Sequence, residues 1–252
     1  MAGEQGRRGF EVIWLRPERA ARGPRPAHSR DEIATAAVRV ADTEGVEAVS
    51  MRRIAAELGT GTTSLYRYVT KKEELYELMI DAALGDVELP VRTGELRTDL
   101  TALAHSQRAG LLRHPWAVTV SSTRPGLGPN QLRWMELAST VAEGHGLDAD
   151  ERLVLLEALG AFVTGYVTAE LAERADSRRT GQSLQDWMNA RGDYGATIIA
   201  SGHYPALSRI MIEAQRPHKP NRLERGFQLC LERILDGLAS TPDSAPGDEC
   251  RA

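Results

Sequence analysis

The sequence predicts an all-α fold in which a small three-helix head carrying a helix-turn-helix is joined to a larger helical body. Three observations lead there. Apolar residues recur at i, i+3, i+4 and i+7 along most of the chain, and no segment alternates apolar and polar residues long enough to form a strand. Helix-start signals punctuate the first third of the chain, at Ser29-x-x-Glu32, Ser50 and Thr70-x-x-Glu73. Between the second and third helical runs only a short turn around Gly59 intervenes.

The elements follow in order. Residues 1–28 are rich in Arg, Pro and Gly, lack helical periodicity, and are expected to form a flexible arm. The head occupies residues 29–84. Its first helix opens at the Ser29–Glu32 capping box, turns Ile33, Ala36, Ala37, Val40 and Ala41 inward, and stops at Gly45. Ser50 caps a short second helix with Ile54, Ala55 and Leu58 facing inward. A third is expected from about Thr62 to Val69, held by Leu65 and Val69. A fourth opens at the Thr70–Glu73 box, with Leu75, Leu78, Met79 and Ala82 on one face. Pro90 and Gly94 mark the junction to a body over residues 95–240, with helices expected at 95–114, 129–143, 150–174, 183–200 and 219–239. Pro115 ends the first of these, and Pro129 suits the first turn of the second. A disordered tail is expected over residues 241–252.

Composition narrows the function classes. No apolar run approaches the roughly 18 residues of a membrane span, so no membrane partner is expected, and the N-terminus lacks the apolar core of an export signal. Two cysteines, Cys230 and Cys250, are too few for a disulfide framework or a metal cluster and fit a reducing cytoplasm. The net charge of −4 divides unevenly: residues 1–72 carry +4 and the remainder −8. A basic front on an acidic body suits one face meeting phosphate.

The chemistry concentrates at the turn between the second and third helices. A duplex major groove admits one α-helix, whose N-terminal residues reach base edges. Here those positions are Thr60, Gly61, Thr62, Thr63 and Ser64, small enough for close approach and carrying hydroxyls that donate or accept. Tyr66, Arg67 and Tyr68 follow, suited to phosphates or the groove wall. Lys71 and Lys72 add their charge to the positive end of the next helix, and Arg52 begins the helix that would cross the backbone. Helix–Gly–helix corners are also common in proteins that never touch DNA, so spacing alone leaves a purely structural reading open.

The run IAAELGTGTTSLYRYVTKKEELYELM resembles the head of the TetR family of bacterial repressors. The elements shared are Ala55, Leu58 and Gly59, Leu65-Tyr66, an aromatic at Tyr68, and Lys72 ahead of a helix containing Leu75. Thr60 departs from the usual apolar residue and Val69 from the commoner Phe. In the body, LLRHPWAVTV and GPNQLRWMELA are similar to the tetracycline-repressor-type C-terminal domain of actinobacterial regulators of drug export. The resemblance implies a homodimer that binds near-palindromic double-stranded operator DNA, and a body cavity for a small hydrophobic inducer that releases it. No cofactor and no metal are expected.

The sequence supports the dimer independently. The helix from Glu151 is apolar almost all round and the last helix has a stripe at Leu223, Phe227, Cys230, Leu231, Ile234, Leu235 and Leu238. Packing both against their copies would give a four-helix interface across a two-fold axis, and burial of both in the core of a single subunit is the alternative. Cavity candidates combine aromatic area with polar handles: His105, Arg108, His114, Trp116, Asn130, Trp134, Phe162, Tyr166 and Trp187; each aromatic also reads as core. The arm carries Arg16, Arg19, Arg22 and Arg25, which are suited to a narrow A·T-rich minor groove or to a plain solubility tail. Enzyme chemistry finds no support: Cys230 has no nearby histidine, His105 and His114 lack zinc spacing, and no Gly-rich phosphate loop occurs. A helical protein that only sequesters a ligand stays as the alternative to a regulator.

Overall fold

The computed structural model describes residues 12–16, 28–120, 126–213 and 222–239, and every regular element among them is a helix. The chain divides into two compact units, Met1–Thr164 and Gly165–Ala252. Most of the expected arm, including Arg19, Arg22 and Arg25, and the tail at 241–252 lie outside the described residues.

The first unit opens with α1 (Arg30–Glu44), α2 (Met51–Glu57), α3 (Thr62–Leu65) and α4 (Lys72–Gly85). At α1 the Ser29 hydroxyl accepts from the Glu32 amide and the Glu32 carboxylate accepts from the Ser29 amide, both at 3.1 Å. Gly45 ends the helix at φ 89°, a conformation that a side chain would strain. Ser50 caps α2 by accepting from the Arg53 amide at 3.2 Å. Ile33, Ile54, Leu65, Val69, Leu75, Leu78 and Met79 close into one buried core.

Two expectations in the head need correction. The third helix ends at Leu65, not Val69, because the Tyr68 and Val69 amides both turn back onto the Leu65 carbonyl, at 2.9 and 3.1 Å. Thr70 does not pair with Glu73. Its amide and hydroxyl donate instead to the Glu74 carboxylate, at 2.7 and 3.0 Å, and α4 begins at Lys72.

The unit continues through α5 (Leu96–Arg113), α6 (Ala117–Val120), α7 (Pro129–Ala142) and the start of α8 (Ala149–Thr180). Asp99 ties down the link before α5 by accepting from the Thr93 amide and hydroxyl and the Gly94 amide, at 2.7–2.9 Å. Helix α8 outruns the expected 150–174 and stops at Thr180, followed by Gly181 at φ 69°. Its length and one 18-residue stretch of mean hydropathy 1.4 meet the composition of a membrane span. Yet Leu155, Leu159, Val163 and Val167 fall four residues apart and are buried, the pattern of a core helix, while Leu153 and Val154 are exposed.

The second unit holds the rest of α8, then α9 (Leu184–Asn189), α10 (Gly192–Ser201), α11 (Pro205–Glu213) and α12 (Arg222–Ala239). The single helix expected over 183–200 is two, because the chain leaves helical geometry at Arg191 ahead of Gly192. Left-handed Gly202 separates α10 from α11, a helix the sequence reading missed. In α12 Phe227, Leu231 and Leu235 are buried, whereas Cys230 from the expected stripe is exposed.

Candidate nucleic-acid interface

The α2–α3 corner is built by Gly59, whose φ of 64° allows the Thr60 amide to reach back to the Ala55 carbonyl at 2.9 Å. Beyond it Leu65 is fully buried and pins α3 to the core, so the opposite side of this short helix faces out. Thr63 is exposed, Thr62 and Ser64 are half-exposed, and Tyr66 and Arg67 stand clear. Arg52 is exposed on α2, as are Lys71 and Lys72 at the start of α4, with the Lys72 ammonium 5.2 Å from the centre of the Tyr76 ring. The structure therefore gathers eight of the nine expected head residues on an accessible surface.

Tyr68 is the exception. It is only 8% exposed and belongs to the head core, because the turn after Leu65 swings positions 68 and 69 inward together. Arg53, next to Arg52, is held by Glu44 at 2.7 Å and Glu57 at 2.8 Å. Its hydrogen bonds keep the Glu44 carboxyl below the usual range.

The arm brings a second correction. Ile13 is 1% exposed and inserts into the head core. Trp14 donates from Nε1 to Glu77 at 2.6 Å, and the Arg16 guanidinium grips Glu74 at 2.7 and 3.4 Å. Arg30, itself buried, donates to the Arg16 carbonyl at 2.8 Å. Residues 12–16 thus strap the head, and Arg16 is committed to a carboxylate instead of being free to enter a minor groove. The signal was present as four consecutive apolar residues, Val12 to Leu15, inside an Arg-rich stretch.

Burial pushes the Glu74 carboxyl up, but hydrogen bonds from Arg16 and from the Thr70 amide and hydroxyl outweigh it and hold the group at about 2. A folded value below the usual 4.5 means stability that is complete above about pH 4.5 and lost as pH falls toward 2. Melting curves recorded from pH 5 down to pH 2.5 should show wild type losing on the order of 1 kcal/mol relative to Glu74→Gln, a modest figure because the pair is partly solvated. Parallel curves for the two proteins would contradict the assignment.

The cavity candidates scatter. His114 and Trp116 are nearly buried and both turn to Asp42 of α1: His114 Nδ1 lies 3.0 Å from its carboxylate and Trp116 Nε1 donates at 2.7 Å. Asn130 donates to the carbonyl and carboxylate of Asp81 on α4, both at 3.1 Å. These three residues bind the head to the body, which corrects their assignment to a ligand site. Of the others in the first unit, Arg108 is buried on α5, and His105, Trp134 and Phe162 are half-buried. In the second unit the Tyr166 hydroxyl donates to the Leu223 carbonyl at 2.7 Å and its ring meets Phe227 edge-on at 5.4 Å, so its polar handle is occupied by packing α8 on α12. Trp187 is 47% exposed and stacks under Arg191, 3.9 Å from the ring centre.

A family model described as "Tetracyclin repressor-like, C-terminal domain" matches residues 89–241, and one for "Bacterial regulatory proteins, tetR family" matches residues 33–79. The chain belongs to the TetR family. Proteins of this family are DNA-binding transcriptional regulators, not enzymes, and they dimerise. Among its relatives, the HTH-type transcriptional repressor DrrR1 of Streptomyces coeruleorubidus is 37% identical over 233 residues, covering 92% of this chain and 84% of that protein. An HTH-type transcriptional regulator of Saccharopolyspora erythraea is 37% identical over 198 residues, 77% of this chain and 82% of that one. Among solved structures, the TetR-family protein ActR of Streptomyces coelicolor, in complex with actinorhodin, superposes with a TM-score of 0.70 at 26% identity, over 88% of this chain and all of that one.

In this TetR-family chain the sequence reading missed the two carboxylates that seat the body on the head. Asp42 takes His114 and Trp116. Asp81, buried on α4, accepts the Gln131 amide at 2.9 Å, the second backbone donor of α7 because Pro129 has none. The residue preceding α7 is Gly128, which has no side chain to cap it, so Asp81 supplies the missing acceptor from another helix. Burial raises the Asp81 carboxyl despite the bonds from Gln131 and Asn130 that favour its charge.

Proposed function

We propose that this chain is a homodimeric repressor that grips a near-palindromic operator with its α3 ends and is released by a small hydrophobic molecule, controlling a drug or antibiotic export gene. The observation that carries the DNA reading is the exposed row from Thr62 to Arg67 flanked by Arg52, Lys71 and Lys72. Hydroxyls reach base edges and the four cations meet phosphates. Exposed Leu153 and Val154 on α8 and Leu229 on α12 supply apolar surface for the two-fold contact. Two heads about 34–36 Å apart would then enter successive major-groove turns, and a ligand that changes their separation would mismatch them to the duplex. Such a protein acts in the cytoplasm, on the nucleoid.

The inducer reading is supported by the likeness to ActR, which binds actinorhodin. In this chain His105, Arg108, Trp134 and Phe162 of the first unit stay as the proposed ligand contacts. Footprinting on the DNA beside its own gene, followed by addition of actinorhodin and other antibiotics, tests the whole reading. A protected two-fold site that is lost with one compound supports it; no protection, or a monomer by sedimentation at micromolar concentration, overturns it.

One substitution tests the phosphate role directly. Lys72→Ala should weaken operator binding several-fold and lower the slope of log affinity against log salt by about 0.9, with the melting temperature unchanged because the side chain is exposed. A full-size slope would remove Lys72 from the backbone contacts.

A further inference from the structure

The described part of the arm supports an inference that rests on the DNA reading and goes beyond it. The start of α4 carries Lys71 as the residue preceding the helix and Lys72, Glu73 and Glu74 in its first turn. Glu74 does not point away from the lysines. It reaches back to the Thr70 amide at 2.7 Å and hydroxyl at 3.0 Å, which places its charge at the helix end that would meet phosphate. Left alone, two carboxylates would cancel two ammonium groups. The Arg16 guanidinium, forked onto Glu74 at 2.7 and 3.4 Å, tips the sum to positive.

Arg16 is held in place for this. Ile13 anchors the segment in the head core, Trp14 fixes it to Glu77 at 2.6 Å, and Arg30 clamps the Arg16 carbonyl at 2.8 Å. The side chains of the pair are 19% and 12% exposed, so the contact is partly shielded from water and is screened less than a fully exposed pair. We propose that Arg16 is a positioning residue for operator binding: it neutralises Glu74 and fixes the first turn of α4, so that the helix start keeps a net positive charge where Lys71 and Lys72 meet phosphate, with Glu73 as its remaining carboxylate. On this account Arg16 strengthens DNA binding without touching DNA.

A double-mutant cycle separates this role from direct contact. The probe is a duplex selected by the wild-type full-length chain from a random pool; a wild type that enriches no duplex would overturn the regulator reading and this proposal with it. Arg16→Ala should weaken binding about fivefold at 0.1 M salt, the effect of one uncompensated charge at several ångströms. Arg16→Lys, which keeps the charge, should stay within about twofold. The double variant Arg16→Ala/Glu74→Gln, which removes both charges of the pair, restores the wild-type sum and should bind within about twofold of wild type. A fivefold loss persisting in the double variant would show that Arg16 contacts DNA itself, and no loss from Arg16→Ala alone in a folded protein would show that the strap is irrelevant to binding. Either result overturns the proposal.

Discussion

Replacing Gly128 by alanine should lower the melting temperature by on the order of 10 °C, a loss of about 3 kcal/mol. The backbone is not the reason, since φ −70° and ψ 156° suit any residue. The reason is room. A β-carbon at Gly128 would collide with the Asp81 carboxylate and lie 2.7 Å from Cζ2 of Trp14. Neither neighbour yields cheaply. Asp81 is 4% exposed and holds the Gln131 amide, so moving it leaves a helix-end donor and a buried carboxylate without each other. Trp14 is a rigid ring tethered to Glu77. Three elements meet at this one point: the strap, α4 and the first turn of α7. Gly192→Ala is the matched control, because nothing lies within 4 Å of a β-carbon there and α10 gains a better helix former. Gly128→Ala melting within about 2 °C of wild type would mean that α7 is not seated on Asp81 as described.

That joint also shows what the sequence can and cannot reveal. The head was legible because its determinants are local: Ser29 and Glu32 cap each other within one turn, and Ile33, Ala37 and Ala41 repeat at helical spacing. The outward row from Thr62 to Arg67 was legible because Leu65 fixes which side is in. Tyr68 was not, since its direction depends on where α3 stops, and two amides sharing the Leu65 carbonyl decide that. The partner of His114 and Trp116 was hidden for a different reason. A tryptophan N–H or a histidine reads the same in sequence whether its partner is a ligand or an aspartate 72 to 74 residues away. Asn130 and Asp81, 49 apart, make the same point. Glu74 combines both cases: Thr70 is a local partner, but Arg16 comes from 58 residues upstream. Non-local pairing of polar groups carries no periodicity, so it stays hidden until the chain folds.

Asp42→Ala should be as damaging as the change at Gly128, with an expected loss of about 4 kcal/mol. One carboxylate serves two donors, His114 Nδ1 at 3.0 Å and Trp116 Nε1 at 2.7 Å, and both side chains are about 5% exposed. Removing it leaves two buried N–H groups without an acceptor, each worth about 1–3 kcal/mol, which exceeds what α1 gains from alanine's helix propensity. Asp42→Asn keeps an acceptor for Trp116 and should lose only about half as much. Trp116→Phe removes one donor and keeps the ring in the core, so Asp42→Ala made in that background should be milder by about 1–2 kcal/mol; strict additivity would show that the carboxylate does not hold the indole. The functional consequence follows from position. Asp42 lies near the end of α1, and its partners lie at the end of α5 and just before α6, so the bond fixes the head against the α5–α6 corner of the body. On the proposed operator geometry, two heads that match successive groove turns lose affinity when each is less well fixed, because binding then has to order them first. Operator affinity of Asp42→Ala, measured below its melting temperature, should therefore fall about tenfold although no DNA-facing residue has changed. Undiminished affinity in a clearly destabilised protein would confine Asp42 to stability and leave the setting of the heads to Asp81 and α4.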